Sequence, residues 1–230
     1  MATMSPTQAR EYWKALVDNA AALIADANVL FNAESYGRAR SLTVLAQEEL
    51  GKALWVYDSF HRAWSEGDEV PRTVDMLARH GRTHTEKYLE ACVFGDELAA
   101  FWGDFDAEHT QWQDSESWEE AHAHRRLKAD AASRQANLEK KRGFYVDRDA
   151  DGTIHSPADI EAGTIADDLQ TAAQVVEMLL IKDHSRMKFD ATTPYDSTHP
   201  QQFRLLPISH PDDWSEASED FKRDPGVPPA

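Results

Sequence analysis

The sequence predicts an all-α fold: an up-and-down bundle of four or five long helices, with a small β-hairpin inserted before the last. Three observations carry that prediction. Apolar residues recur at alternating spacings of three and four along several long stretches. Short clusters of Gly, Pro, Asn and Asp separate those stretches. Only residues 143–155 break the helical period with β-prone runs, and these flank Asp151-Gly152.

Ser5-Pro6-Thr7-Gln8 has the form of a helix start, with a capping Ser, Pro at the first helical position and Gln closing a capping box. Trp13, Leu16, Ala20, Leu23, Ala27 and Leu30 then mark one face of a long first helix. Residues 32–35 interrupt it, and a second helix is expected over 35–64. A short connection makes these two helices antiparallel neighbours. Gly67 and Pro71 punctuate the next turn, and a third helix is expected over 73–101, with Leu77, His84, Tyr88, Ala91 and Leu98 on its core side. Residues 103–120 are acidic and Trp-rich, and a charged helix follows over 118–142. After the hairpin, Ser156-Pro157-Ala158-Asp159 restarts helical structure. The last long helix covers 164–187, with Leu169, Ala172, Val176, Leu179 and Leu180 inward. Residues 1–190 therefore form the helical domain, and 191–230 read as a Pro-rich extended or disordered tail.

Composition narrows the function classes. A chain of 230 residues with 41% hydrophobic content supports one sizeable core. It has no apolar run of about 18 residues, so no transmembrane helix is expected. The segment MATMSPTQAREYWK has no basic start followed by an apolar stretch, and Cys92 is the single cysteine. Both favour a cytoplasmic protein. A net charge of −17 argues against a broad nucleic-acid-binding surface. A local basic concentration remains, in which Arg125, Arg126 and Lys128 lead into Arg134, Lys140, Lys141, Arg142 and Arg148. It fits an RNA contact, but a solvated helix face that offsets acidic neighbours is the preferred reading.

The chemistry-bearing residues gather on the second and third helices. In SLTVLAQEELGKALWVY, residues 41–57, Leu42, Leu45, Ala46, Leu50, Ala53, Val56 and Tyr57 form the apolar face. Glu49 falls inside that face, and Glu48 and Lys52 fall near its edge. A carboxylate on a core-facing stripe is costly unless paired, so the sequence points to a site or a buried polar network there. Glu48 and Lys52, Glu first at i and i+4, also match an ordinary surface pair. On the third helix His84 and Lys87 share a face, with Arg79 upstream. Carboxylate, imidazole and ammonium groups, where they converge, suit a phosphodiester: the imidazole moves protons and the cations stabilise developing charge.

SLTVLAQEELGKA, His84-Thr-Glu-Lys87 and KKRGFYVDRDADGTIHSPADI together resemble the AbiV family of bacterial abortive-infection proteins, in the HEPN superfamily of small helical bundles. The resemblance covers roughly residues 20–180 and is most specific at 46–52 and 143–147. It implies an anti-phage role in which the infected cell shuts down before the phage matures. Many HEPN relatives are metal-independent ribonucleases that act as homodimers, marked by an Arg and a His separated by four to six intervening residues. Arg79 and His84 match that spacing, as do Arg148…His155 and Arg204…His210. On a continuous helix Arg79 and His84 point about 140° apart, so they converge only if the helix breaks, as Gly81 permits, or if two chains meet. In a ribonuclease His84 is the proton-transfer group, Arg79 and Lys87 contact phosphate, and Glu49 orients Lys52 or His84. No cofactor is implied. The alternative is a non-catalytic effector that binds a phage or translation protein, with exposed Trp112 or Trp118 as contacts.

Two metal readings compete. Asp147, Asp149, Asp151, Gly152 and Ile154 match the first half of a calcium loop, but its twelfth position is Ala158, and an Asp-Gly turn explains the same residues. Glu119-x-x-His122, and in part Asp106-x-x-His109, match the spacing of a ferritin-like di-metal bundle, in a stretch where solvated charge also accounts for them.

Overall fold

A computed structural model describes residues 2–101, 118–194, 196 and 202–213. The capping box expected at Ser5 is present: the Ser5 hydroxyl accepts from the Gln8 amide at 3.2 Å, and the Gln8 side chain accepts from the Ser5 amide at 3.0 Å. From it runs α1 (Pro6–Asn32), followed by α2 (Tyr36–Glu66), which ends on Gly67 in the left-handed conformation at φ 71°. Two-residue strands β1 (Thr3–Met4) and β2 (Arg72–Thr73) pair antiparallel and tie the chain start to the end of α2.

The expected third helix is two helices. The short α3 (Asp75–His80) stops at Gly81, and α4 (His84–Phe101) starts three residues later. At the break the Gly81 amide bonds to the Leu77 carbonyl and the Thr83 amide bonds to the His80 carbonyl at 2.8 Å, a tightened turn that re-aims the chain. Next come α5 (Trp118–Arg142), a hairpin of β3 (Asp147–Arg148) and β4 (Ile154–His155), and a 3₁₀ turn at Pro157–Asp159. The hairpin turns on Gly152 at φ 93°. Then α6 (Ile165–Ser185) runs into a π-turn at Arg186–Asp190. Trp102, Asp106, His109 and Trp112 lie outside the described residues, as do the side chains of Leu98, Trp118, Glu119, His122 and Arg125.

The bundle is organised around α2, which packs on α1, α4, α5 and α6. Trp13 and Ile24 of α1, Leu50, Val56 and Phe60 of α2, and Leu169, Val176 and Leu179 of α6 are buried in one core. The inward faces expected on α1 and α6 are in place: Trp13, Leu16, Ala20, Ala27, Leu169, Ala172, Val176, Leu179 and Leu180 are buried. A second seam, where Val44, Tyr88 and Ala136 meet, joins α4 and α5 to the other side of α2.

Beyond residue 190 the described chain is not an extended tail. The Thr192 amide bonds to the Ser65 carbonyl at 2.9 Å and the Thr193 hydroxyl donates to the Trp64 carbonyl at 3.0 Å. Helix α7 (Gln202–Ser209) then packs on α6 and places Leu205 in the main core. The apolar content of QFRLLPIS is enough for one docked helix, although Pro207 within it reads as a breaker.

Among the described residues no helix is long and apolar enough to cross a membrane.

Candidate functional site

Close helix approach builds this site. Gly51 lies where a Cβ would stand 1.9 Å from the Lys87 carbonyl oxygen, so only glycine lets α4 cross α2 at that distance. Gly143 plays the same part at the end of α5, where a Cβ would meet the Gly37 carbonyl at 2.0 Å. The Ser41 hydroxyl, within reach of both the Gly37 and Lys140 carbonyls (3.0 and 2.8 Å), fastens that contact. One residue before Lys140, Glu139 accepts a hydrogen bond from Arg40 of α2 at 2.7 Å. Arg40 also pairs with Asp168 of α6. Burial alone lowers the tendency of the Arg40 guanidinium to stay charged, but the two carboxylates outweigh it and raise its pKa.

These contacts focus three helices on Glu48. Its side chain is 3% exposed. One oxygen, Oε2, lies 2.7 Å from His84 Nδ1 and 3.2 Å from Lys87 Nζ; the other, Oε1, accepts from Lys140 Nζ. Burial pushes the Glu48 carboxyl up, but the bonds from His84 and Lys140 and the charges of Lys140 and Lys87 prevail and hold it below its ordinary value. An ionised carboxylate only accepts hydrogen bonds, so the proton between Glu48 and His84 sits on Nδ1. Lys140 Nζ, 3.1 Å from that nitrogen, is therefore a second donor converging on the same carboxylate.

The consequence for His84 is specific. Nδ1 is committed, which fixes the tautomer and the ring orientation. Nε2 makes no hydrogen bond to a described residue, and the side chain is 53% exposed. A half-exposed imidazole, aimed by a buried carboxylate and backed by two ammonium groups, can take or give a proton at Nε2.

The structure reverses two expectations on α2 and one on α4. Glu48, expected at the edge, is the buried acid, because α4 and α5 cover that edge. Glu49, expected inside, is partly exposed and accepts from Lys52 at 2.6 Å. A single apolar stripe identifies one buried face, whereas α2 is covered on several. His84, expected on an apolar face, is instead the first residue of α4, with its ring turned to solvent.

Glu48, His84 and Lys87 come together, and Lys140 joins them. Lys140 stood in the sequence only as one of a basic group. The signal that finds it is the small-residue stripe Ala129, Ser133, Ala136 and Gly143, spaced as a buried seam with Lys140 in register. Lys87 is itself buried, its charge spent on Glu48. Lys52 and exposed Arg79 stand apart from this group, on the wall of a neighbouring cleft. Arg126 lies 3.9 Å from Glu86, two residues from His84, which brings the start of α5 beside the first turn of α4; Lys128 is exposed on the same helix.

The hairpin acids serve the turn. Asp147 accepts from the Arg148 amide and Asp151 from the Thr153 amide, while Asp149 pairs with His155 at 2.7 Å. Among the described residues no three potential metal ligands converge.

Compared with known proteins, the chain matches AbiV over residues 8–177, from the first turn of α1 into α6. Neither the curated proteins nor the solved structures give a match. The matched span holds every residue of the Glu48 cluster, and the chain belongs to the AbiV family of the HEPN superfamily, a family of abortive-infection proteins in phage defence.

Proposed function

We propose that this protein is an abortive-infection effector that cleaves RNA without a metal ion, with His84 as its proton-transfer group. The observation that carries this reading is the Glu48–His84 pair, which leaves one imidazole nitrogen facing solvent. In the reaction His84 Nε2 takes the proton of a ribose 2′-hydroxyl as that oxygen bonds to the adjacent phosphorus. The P–O5′ bond breaks, and the 5′ oxygen leaves with a proton. A homodimer, the expected assembly, brings a second His84 to protonate that oxygen. Glu48 stabilises the imidazolium, and Arg79, exposed on α3, meets the phosphate. Arg126 and Lys128 extend the contact along the RNA backbone.

Purified protein incubated with labelled total RNA tests the reading. Cleavage should persist in chelator and disappear in His84→Ala. His84→Ala also removes a hydrogen bond to buried Glu48, a loss of about 1.5–3 kcal/mol, so a thermal melt showing that the variant is folded lets a lost activity report chemistry. Cleavage by His84→Ala at the wild-type rate would sink the proposal.

One observation favours a second reading, a non-catalytic effector that blocks phage or host translation through a protein partner. Phe144, Tyr145, Val146 and Ile154 at the hairpin are exposed apolar side chains close in sequence. On that reading Tyr145→Ser abolishes protection against phage while His84→Ala preserves it.

A further inference from the structure

Beside the Glu48 cluster lies a cleft of about 830 Å³, walled by Gln8 and Tyr12 of α1, Lys52 of α2, and Arg79, Gly81 and Arg82 at the α3–α4 break. Its size falls within the range of about 300–1,000 Å³ usual for ligand sites. Three cations on one cleft are notable in a chain of net charge −17. Lys52 is neutralised by Glu49, but Arg79 and Arg82 are exposed and make no ion pair with any described residue. Across from them Tyr12 keeps 37% of its surface exposed, a large fraction for an aromatic on a helix whose other face is core. Gln8 uses its carbonyl oxygen in the capping box, which leaves its amide N–H groups free to donate. Guanidinium groups suit phosphate, an exposed phenol ring suits a base stacked on it, and an amide suits a base edge.

Two residues of the cleft wall are also close along the chain to the Glu48 cluster. Lys52 is one turn from Glu48 on α2, about 6 Å of helix rise, and Arg82 is two residues before His84. We infer that this cleft seats the nucleotide next to the scissile phosphate of single-stranded RNA, its base on Tyr12 and its own phosphate on Arg82, while Arg79 is left to the scissile phosphate. The inference rests on the ribonuclease reading for its place in the reaction; Tyr12, Gln8 and Arg82 are the new binding residues.

The test is a binding titration with the full chain. A labelled, unstructured ten-nucleotide RNA is titrated with His84→Ala protein at several salt concentrations. Tyr12→Leu and Arg82→Gln are then each added in that background, and thermal melts check that both variants fold. Each should weaken binding about tenfold. Arg82→Gln should also flatten the slope of log affinity against log salt by about 0.7, one phosphate contact on a single strand. Unchanged affinity and slope in both variants would overturn the inference, as would an absence of RNA binding. Displacement of the RNA by free adenosine monophosphate at equal concentration would overturn RNA as the occupant. Failure of the ribonuclease reading shows separately, as wild-type protein that cleaves nothing while the cleft variants still lose binding. If the wild type cleaves and both variants bind normally, the cleft inference fails alone.

Discussion

Glu48 is a carboxylate held 3% exposed between an imidazole and two ammonium groups. Removing one partner from a buried ionic group usually costs about 3–5 kcal/mol, because the partners that stay behind are buried and unneutralised. Glu48→Gln keeps the side-chain shape and should cost a sum of that order at neutral pH, since Lys87 and Lys140 lose their counter-charge. The pH dependence follows from the direction of the Glu48 shift. Its carboxyl lies below the ordinary value of 4.5 in the folded protein, so its stabilisation is complete above that value. The stabilisation is lost as the pH falls through the lower folded value. The melting temperatures of wild type and Glu48→Gln should therefore stand far apart at pH 7 and draw together towards pH 3. A gap of equal size at both pH values would mean that the carboxylate contributes nothing through its charge. Identifying this acid from sequence alone fails for a physical reason. Helical periodicity reports one buried face, and it ranked Glu49 inside and Glu48 at the edge. Which of two adjacent acids is buried depends on α4 and α5, which approach α2 from the side that carries fewer large apolar residues.

At the scale of elements, glycine decides where the helices cross. Gly51 sits in the middle of a 31-residue helix, where it costs about 1 kcal/mol relative to Ala. That penalty is offset because the Lys87 carbonyl occupies the place of a Cβ, at 1.9 Å. Gly51→Ala gains helix propensity but forces α2 and α4 apart, and Lys87 moves with the backbone that carries it. A net loss of about 1–3 kcal/mol is expected, the usual range for overpacking, measured as a lower urea midpoint. A raised midpoint would show that α4 retreats freely and that the close crossing does not set the site. Most elements were legible in the sequence. The capping box at Ser5, the break near residue 33, α5 and the hairpin on Asp151-Gly152 each depend on local signals, and local signals are what a sequence displays. The α3–α4 break carried one such signal, Gly81, set against an otherwise unbroken apolar period, and the period was misleading there. The contact through Gly51 was not legible, since a lone glycine in a helix looks the same whether or not another backbone touches it.

At the scale of the whole molecule, the bundle is closed by chain that the composition marks as a tail. Polar, Pro-containing sequence after residue 190 gives no long periodic face, and besides the packing of α7 on α6 its contacts reach the far end of α2 and α1, more than a hundred residues away. Such long-range docking leaves no local trace. Thr192 and Thr193 bond to the last turn of α2, and Asp196 pairs with Lys14 at 2.6 Å and with Arg10 at 3.3 Å. Although partial burial pushes the Asp196 carboxyl up, Lys14 and Arg10 hold it below its ordinary value. The region under this strap is itself a buried ionic network: Arg10 grips both oxygens of Asp183 at 2.9 and 2.8 Å, Arg186 bonds the same carboxylate, and Trp64 faces both guanidinium groups. Leu205 of α7 then fills the main core at 2% exposure. Deleting residues 191–230 should therefore destabilise the bundle rather than release a passive appendage. Exposing the Leu205 site alone costs about 1.5–3 kcal/mol, and Leu205→Ala in the full chain should cost about 2–5 kcal/mol with its cavity included. Urea unfolding of the deletion and of Leu205→Ala measures both against wild type. A deletion that unfolds at the wild-type midpoint would mean that the strap and α7 rest on the bundle without contributing to it. A deletion that falls further than Leu205→Ala would assign the remainder to the strap over Arg10 and Trp64 together with the other contacts of α7 on α6.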